Sequence, residues 1–392
     1  MRESVIVGGA RTPFGKFGGG LKDVPAVVLG GSAIRGAIRR SSLEPSMVEE
    51  VIMGMVLQGG AGQNPARQAA RFAGLDWSVS AETINKVCAS ALLSVTLADQ
   101  IIRSGGAEAI VAGGMESMSS APFLLPSTRW GARMGNQTAF DLMIHDGLMC
   151  PFEHVQMFVH GNSVAEEFGI SRHGQDEWAL RSHSLALEAR HKGYLAEEIV
   201  PIEVQTKSGS VWVDQDEGPR ADTSLEKLAA LPALVKGGTI TAGNAPSVND
   251  GAAAMVVMSM EKALAQNIRP LATIVGHASV GERAPYIAVT PALAIQKLLR
   301  QTGMKLDQIS RFEVNEAFAA VLLTSEKLLG WNSELVNVRG GAIALGHPIG
   351  ASGGRILLAL IHELRRIGGG YGIAAICSGA AQGDAILIRV DG

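Results

Sequence analysis

The sequence predicts an α/β protein with a pseudo-duplicated core and a more polar loop domain set between its halves. Short β-branched runs alternate with amphipathic helical stretches from residue 4 to about 118. The same order of elements returns after about residue 250, while residues 119–249 break into loops and short pieces. Strands alternating with helices imply parallel strand–helix–strand units and a sheet covered on both faces. The expected division is residues 1–118 with 250–269 for one half, 119–249 for the insertion, and 270–392 for the other half.

Each element has a local reason. "SVIVGGA" (4–10) is a β-branched run ending in glycines, a buried strand by pattern. Residues 26–40 follow as a helix and "EVIMGMV" (50–56) as a strand. "NPARQAARFAG" (64–74) places proline near its start and glycine at its end, the asymmetry of a helix. "SAETINKV" (80–87) is strand-like, 89–103 carries a helical stripe of Leu92, Leu93, Leu97, Ile101 and Ile102, and "EAIVAGG" (108–114) is a strand. In the insertion, residues 171–190 read as a helix with Ser171 in the N-cap position. The second half offers strands at 252–260, 271–281, 311–317, 335–338 ("LVNV") and in "YGIAAICSGA" and "DAILIRV". Helices fall at 291–303, 318–329 and 352–366. Two such halves bring strand ends and following helix N-termini together, where ligands of open α/β sheets bind.

Composition narrows the function. The chain has 392 residues, 47% of them hydrophobic, with 48 glycines, which suits a folded, loop-rich globule. The formal charge of −3 gives no global bias toward nucleic acid or an anionic membrane. The N-terminus lacks the apolar core of a signal peptide, and no apolar run reaches the ~18 residues of a membrane span. Three cysteines, Cys88, Cys150 and Cys377, cannot all pair, and no short cysteine spacing suggests zinc. A reducing, cytoplasmic setting is expected.

Four residues at junctions between core elements are candidates for chemistry. Cys88, in "INKVCASAL", stands between a strand and a helix. It is either a small buried hydrophobe or a nucleophile whose thiolate faces the positive end of that helix, which would lower its pKa. His347, in "NVRGGAIALGHPIGASGGR", is either a general base beside a thiol or a histidine fixed in a tight loop. The other histidines, His173, His183 and His191 among them, fall in the polar insertion and are expected to be solvated. Cys377 ends a strand, and either acts as an acid or base next to the Gly379 N–H or fills space between close-packed strands. Asn315, in "NEAF", either orients a water or carbonyl or caps the next helix. A glycine-rich loop alone would equally suit a phosphate cradle, but nothing resembles a P-loop, a zinc site or a serine-hydrolase elbow.

Taken together, these segments resemble the thiolase family, and the resemblance spans essentially the whole chain. "NKVCASAL", "NEAFA", "NVRGGAIALGHPIGASG" and "GIAAICSGAAQGDA" are similar to the family's nucleophile, asparagine, histidine and second-cysteine segments. "ARTPFGKFGG", "AGGMESMS" and "TAGNAPSVNDGAAA" are also thiolase-like. The resemblance implies a five-layered αβαβα fold with an inserted loop domain that helps bind coenzyme A. It also implies a homotetramer built as a dimer of dimers, to which "RWGARMG" (129–135) would contribute. No permanently bound cofactor or metal is implied; acyl-CoA and coenzyme A are substrates.

The resemblance further implies roles. Cys88 would carry the acetyl group, His347 would activate it, and Cys377 would move the methyl proton of the second acetyl group. One oxyanion pocket would come from the Cys88 and Gly379 N–H groups, the other from His347 and a water held by Asn315. Arg220, Ser247 and Phe318 would bind substrate, and Met157 resembles the methionine that shortens the acyl pocket in the short-chain branch. The reaction so implied is condensation of two acetyl-CoA to acetoacetyl-CoA, or the reverse thiolysis. A 3-ketoacyl-CoA thiolase of broader chain length is the alternative, then a non-catalytic thiolase-shaped binding protein. This sequence departs from the pattern at Ala91, at "SGAAQG" (378–383), and at Pro246, which precedes Ser247 where a serine is common.

Overall fold

A computed structural model describes residues 2–207 and 209–392. The first half runs β1 (Ser4–Arg11), α1 (Ala26–Ser41), β2 (Glu50–Gly54), α2 (Pro65–Phe72), β3 (Ser80–Ile84), α3 (Ser90–Ser104) and β4 (Ala109–Ser117). The insertion holds α4 (Met157–Glu167), α5 (Arg172–His191) and two small hairpins. Then come β5 (Asn249–Ser259), β6 (Ala272–Gly281), α6 (Thr290–Thr302), β7 (Ile309–Val314), α7 (Ala319–Leu329), α8 (Ser352–Arg366), β8 (Gly370–Ser378) and β9 (Gln382–Val390). The ends follow local chemistry. Asn64 accepts from the Arg67 N–H before Pro65, and Ser171 caps α5 through the Gly174 N–H.

Across the sheet the order is β7-β8-β9-β6-β1-β5-β4-β2-β3. Outward from the central β1–β6 contact, the first half reads first, last, last-but-one, second and third strand, and the second half reads first, last, last-but-one and second, with no counterpart of the outermost β3. The two halves are therefore copies in topology, joined by a two-pair ladder, Val5 to Thr273 and Ile6 to Ala272. Only β2–β3, β2–β4 and β7–β8 are parallel; every other pairing in this sheet is antiparallel. The strand–helix–strand units are parallel as expected. The antiparallel pairings lie outside them: at β9, where the short 379–381 turn permits only an antiparallel hairpin, and at β5, which returns from the insertion between β1 and β4.

The expected strand at 335–338 needs correction. Residues Ser333–Leu335 form a 3₁₀ turn and Val336 makes one isolated parallel bridge to Phe312, at the place where β3 sits beside β2 in the other half. The Asn337 side chain replaces the missing ladder: Oδ1 accepts from the Val314 N–H at 2.8 Å and Nδ2 donates to the Val314 carbonyl at 2.8 Å.

Three apolar layers hold the stack. Leu29 and Ile34 of α1 pack with Val7, Val111 and Val256 outside the first half-sheet. Leu92 and Val95 of α3 and Ile356 and Leu360 of α8 fill the centre between Met255 and Ile386. Ile295 of α6 and Val321 of α7 cover the second half-sheet. Along β9, Ile386 and Ile388 face the centre while Ala385 and Leu387 face outward, the two-residue period of a strand. The result is helices, sheet, helices, sheet, helices. By length and composition alone, Val87–Ser104 passes as apolar enough to cross a membrane, with a mean hydropathy of 1.2. Its residues Leu92, Val95 and Ile102 pack in the central layer, so it is a core helix here.

Candidate active site

The two central helices α3 and α8 start near one another, and glycine permits it. A Cβ on Gly353 would lie 2.5 Å from the Leu92 backbone nitrogen. Cys88 immediately precedes the α3 cap and His347 precedes α8, so this crossing brings them to one place.

Cys88 sits on a strained turn. Val87 has φ 48°, a left-handed conformation costly for a β-branched side chain. Asn85 Oδ1 accepts from the Val87 N–H at 2.8 Å, and Ser90 Oγ accepts from the Lys86 N–H at 2.8 Å. The expected lowering of the thiol pKa does not occur. Burial pushes it up to about 12, opposed by the Gly379 N–H and its own N–H, and reinforced by the Glu116 carboxylate. Desolvation outweighs the helix end here, so the resting group is a thiol that needs a base.

His347 is buried, and burial with the nearby Arg355 charge lowers its pKa to about 3. It is neutral at working pH. Its Nδ1 lies 2.6 Å from Ser352 Oγ, which itself donates to the Pro348 carbonyl at 2.9 Å. That chain assigns the proton to Nδ1 and leaves Nε2 as the unprotonated, accepting nitrogen. Nε2 lies 3.5 Å from Asn315 Nδ2. The His347 N–H is held by Asn249 Oδ1 at 2.9 Å. Asn315 is fully buried and does not cap α7, whose cap residue is Phe318. Its Oδ1 has no partner among the described residues. Next to it, the Glu316 carboxylate accepts from Trp178, Ser182, Asn337 and the Ile343 N–H, tying α5 to this loop.

Cys377 is buried at the end of β8. Burial raises its pKa strongly, and a charge on Cys88 raises it further, so the two sulfurs feel one another. Beyond it, Ala380 and Ala381 hold left-handed φ of 60° and 51° where glycine would be unstrained.

A cavity of about 160 Å³ joins these groups. Cys88, Gly379, His347, Met157 and Phe318 all line it. Asn315 and Cys377 are buried and do not line it. Leu148, Gln156 and Phe158, not singled out from the sequence, close it further. Ala245 and Ser247 line both this cavity and an outer one of about 350 Å³, which carries Lys16, Arg220, Lys227 and His183. Ser247 Oγ donates to Asn249 Oδ1 at 3.0 Å, and so supports the same asparagine that holds His347.

His183 corrects an expectation: it is buried, not solvated, and accepts from the Arg220 N–H at 3.2 Å. Burial, then the Arg220 and Lys16 charges, lower its pKa to about 4. It shares the inward stripe of α5 with Trp178, Ala179, Ser182 and Ala186, a spacing that was visible in the sequence. His173 and His191 are exposed, as expected. Ser352, Asn249 and Glu316 were also missed; their roles depend on loop geometry rather than on any local pattern.

Comparison with known proteins gives the family. Residues 4–261 match the thiolase N-terminal domain and residues 268–390 the thiolase C-terminal domain. The chain is 48% identical to an acetyl-CoA acetyltransferase of Escherichia coli K12, with 99% of each chain covered. It is 46% identical to a probable acetyl-CoA acyltransferase of Staphylococcus aureus N315, covering 96% of this chain and 99% of the relative. The crystal structure of the Bacillus anthracis acetyl-CoA acetyltransferase superimposes with a TM-score of 0.97 at 42% identity, covering 100% of this chain and 99% of the other. In fold and over its full length, the chain belongs to the thiolase family.

Proposed function

We propose that this chain is an acyltransferase of the acetyl-CoA C-acetyltransferase type, condensing two acetyl-CoA to acetoacetyl-CoA and coenzyme A, or running the reverse thiolysis. The observation that carries this is the inner cavity on which Cys88, His347 and Gly379 converge, which shares Ala245 and Ser247 in its lining with an outer cavity that carries Lys16, Arg220 and Lys227. Lys16, Arg220 and Lys227 suit the phosphates of coenzyme A, and the apolar neck suits its pantetheine arm.

The chemistry follows from the atoms. His347 Nε2 takes the Cys88 proton as sulfur attacks the thioester carbon. The oxyanion sits between the Cys88 and Gly379 N–H groups, each such donor contributing about 3 kcal/mol to the transition state. Coenzyme A leaves as a thiolate and takes the proton from His347. In the second half, His347 takes the Cys377 proton, and the Cys377 thiolate removes a methyl proton from the second acetyl-CoA. The enolate oxygen is held by the His347 Nε2–H and a water on Asn315 Oδ1. Its carbon attacks acetyl-Cys88, the C–S bond breaks, and the Cys88 thiolate takes the proton from His347.

Met157, Phe158 and Leu148 restrict the inner cavity, which favours a short acyl group over the broader 3-ketoacyl-CoA alternative. Among the described residues, Phe123, Leu125, Trp130, Met134 and Phe140 are exposed, and the outer edge of β3 is unpaired. Both features suit a homotetramer built as a dimer of dimers, with 119–249 as the coenzyme-binding and tetramer-forming domain. The protein is taken as cytoplasmic, working in lipid metabolism without a permanently bound cofactor. The test is thiolysis of 3-ketoacyl-CoA from C4 to C10: turnover confined to C4 supports the reading, and equal turnover at C8 moves the assignment to the broader thiolase.

A further inference from the structure

The left-handed Val87 must be held from outside, because such a backbone is strained and relaxes unless its surroundings over-determine it. The residue before it supplies the hold. Lys86 Nζ donates to Asp384 Oδ1 at 2.8 Å and to Ser279 Oγ at 3.3 Å. The Lys86 carbonyl accepts from Ser378 Oγ at 2.5 Å. Ser279 Oγ also donates to Asp384 Oδ1, at 2.5 Å. The Asp384 side chain is 3% exposed and the Lys86 side chain 15%, so this ion pair is largely shielded from water.

The partners are placed tellingly. In the β8–β9 ladder Asp384 lies opposite Ile376, and Gly383 opposite Cys377. In the β6–β9 ladder Asp384 lies opposite Ser279. Ser378 follows Cys377 directly and precedes Gly379. Every side chain that grips Lys86 from the second half thus belongs to the β-hairpin carrying Cys377 and Gly379, or to the strand beside it. Lys86 and Asp384 are 298 residues apart in sequence.

We propose that Lys86 is a positioning residue. With Asp384, Ser279 and Ser378 it latches the nucleophile turn of the first half onto the second-half hairpin, and so fixes the Cys88 sulfur against the Gly379 N–H. This rests on the thiolase reading above. An open latch lets Val87 relax and separates the two N–H groups that must meet one oxyanion. Misplacement of about 1 Å at such a site costs about 10²-fold in rate.

The test uses steady-state thiolysis of acetoacetyl-CoA by the full chain. Lys86→Met and Asp384→Asn are each expected to lower kcat by about 10²-fold, with KM for coenzyme A changed less than about twofold. The double variant is expected to be no worse than the poorer single one, because both remove one contact. Lys86→Arg, which keeps the ion pair, is expected to recover kcat to within about fivefold of the parent. The rate of Cys88 alkylation by iodoacetamide should change in Lys86→Met and return in Lys86→Arg. Asp384→Asn preserves shape, so it decides the question if Lys86→Met does not fold. A kcat within about threefold of the parent in folded Asp384→Asn overturns the latch, as does additive loss in the double variant. Those outcomes leave the thiolase function standing, whereas a parent chain that neither takes acetyl from acetyl-CoA on Cys88 nor cleaves acetoacetyl-CoA overturns that function itself.

Discussion

The two halves of the core share a topology but not a workload. After β2 the first half places Val56 and Leu57, whose N–H groups bond the buried Glu116 carboxylate at 3.0 and 3.1 Å. At the matching end of β7 the second half places Asn315. At the end of β4 the first half has Ser117 and Met118; at the end of β8 the second half has Cys377 and the Gly379 N–H. Only the loop before the central helix carries a reactive group in both, Cys88 before α3 and His347 before α8. Duplicated strand ends give the molecule more positions than one reaction needs. The spare positions of the first half are used for apolar walls and for Glu116, which also accepts from the Gly350 N–H at 3.0 Å and so steadies the His347 loop.

That asymmetry orders the expected losses. Cys88→Ala removes the one nucleophile of the first half and should abolish acetyl labelling, lowering turnover at least about 10⁴-fold. If its side chain acts on the enolate as proposed, and not on substrate binding, Asn315→Ala should lower kcat by about 10²–10³-fold with KM nearly unchanged. Steady-state kinetics check both. Ser352→Ala should cost about tenfold in kcat, the worth of one hydrogen bond that selects the Nδ1 tautomer, and should leave Cys88 labelling stoichiometric.

A pH series sharpens the comparison between Cys88 and a helix-activated thiol. With burial holding the thiol at about 12, its alkylation rate should climb steadily from pH 6 to 9 without a plateau. A plateau near neutrality would mean that the α3 N-terminus wins. For His347 the folded pKa of about 3 lies below the ordinary 6.5. Its contribution to stability is therefore whole above pH 6.5 and is lost as pH falls through about 3. Thermal melts should show Tm falling across that window, with His183, lowered to about 4, adding to the same slope. The smallest effect is expected at the left-handed alanines. Ala380→Gly and Ala381→Gly relieve strain but loosen the unfolded chain, so stability should move by less than about 1 kcal/mol, read by denaturant melts.

What the sequence made legible follows the same division. Cys88, His347, Asn315 and Cys377 were readable because each falls at the end of a strand pattern or just before a helix pattern. The helices and most strands were readable from apolar period, proline and glycine. The strand expected at 335–338 was not formed, because the Asn337 side chain takes over the bonds a strand would make. The raised Cys88 pKa was hidden, since burial depends on the whole fold and the helix end is only a local cue. His183 was readable from the stripe of α5 and was overridden by the polar character of the insertion. Lys86 with Asp384, and Asn249 with His347, join residues far apart in sequence, and no local pattern announces either pair.

The most direct measurement is rapid-quench transfer of labelled acetyl from acetyl-CoA to the Cys377→Ala variant, followed by peptide mapping and an assay for acetoacetyl-CoA. If the two sulfurs divide the reaction as argued, the variant carries one acetyl group on Cys88 and forms almost no acetoacetyl-CoA. Condensation at the parent rate, or label on a residue other than Cys88, would contradict that division.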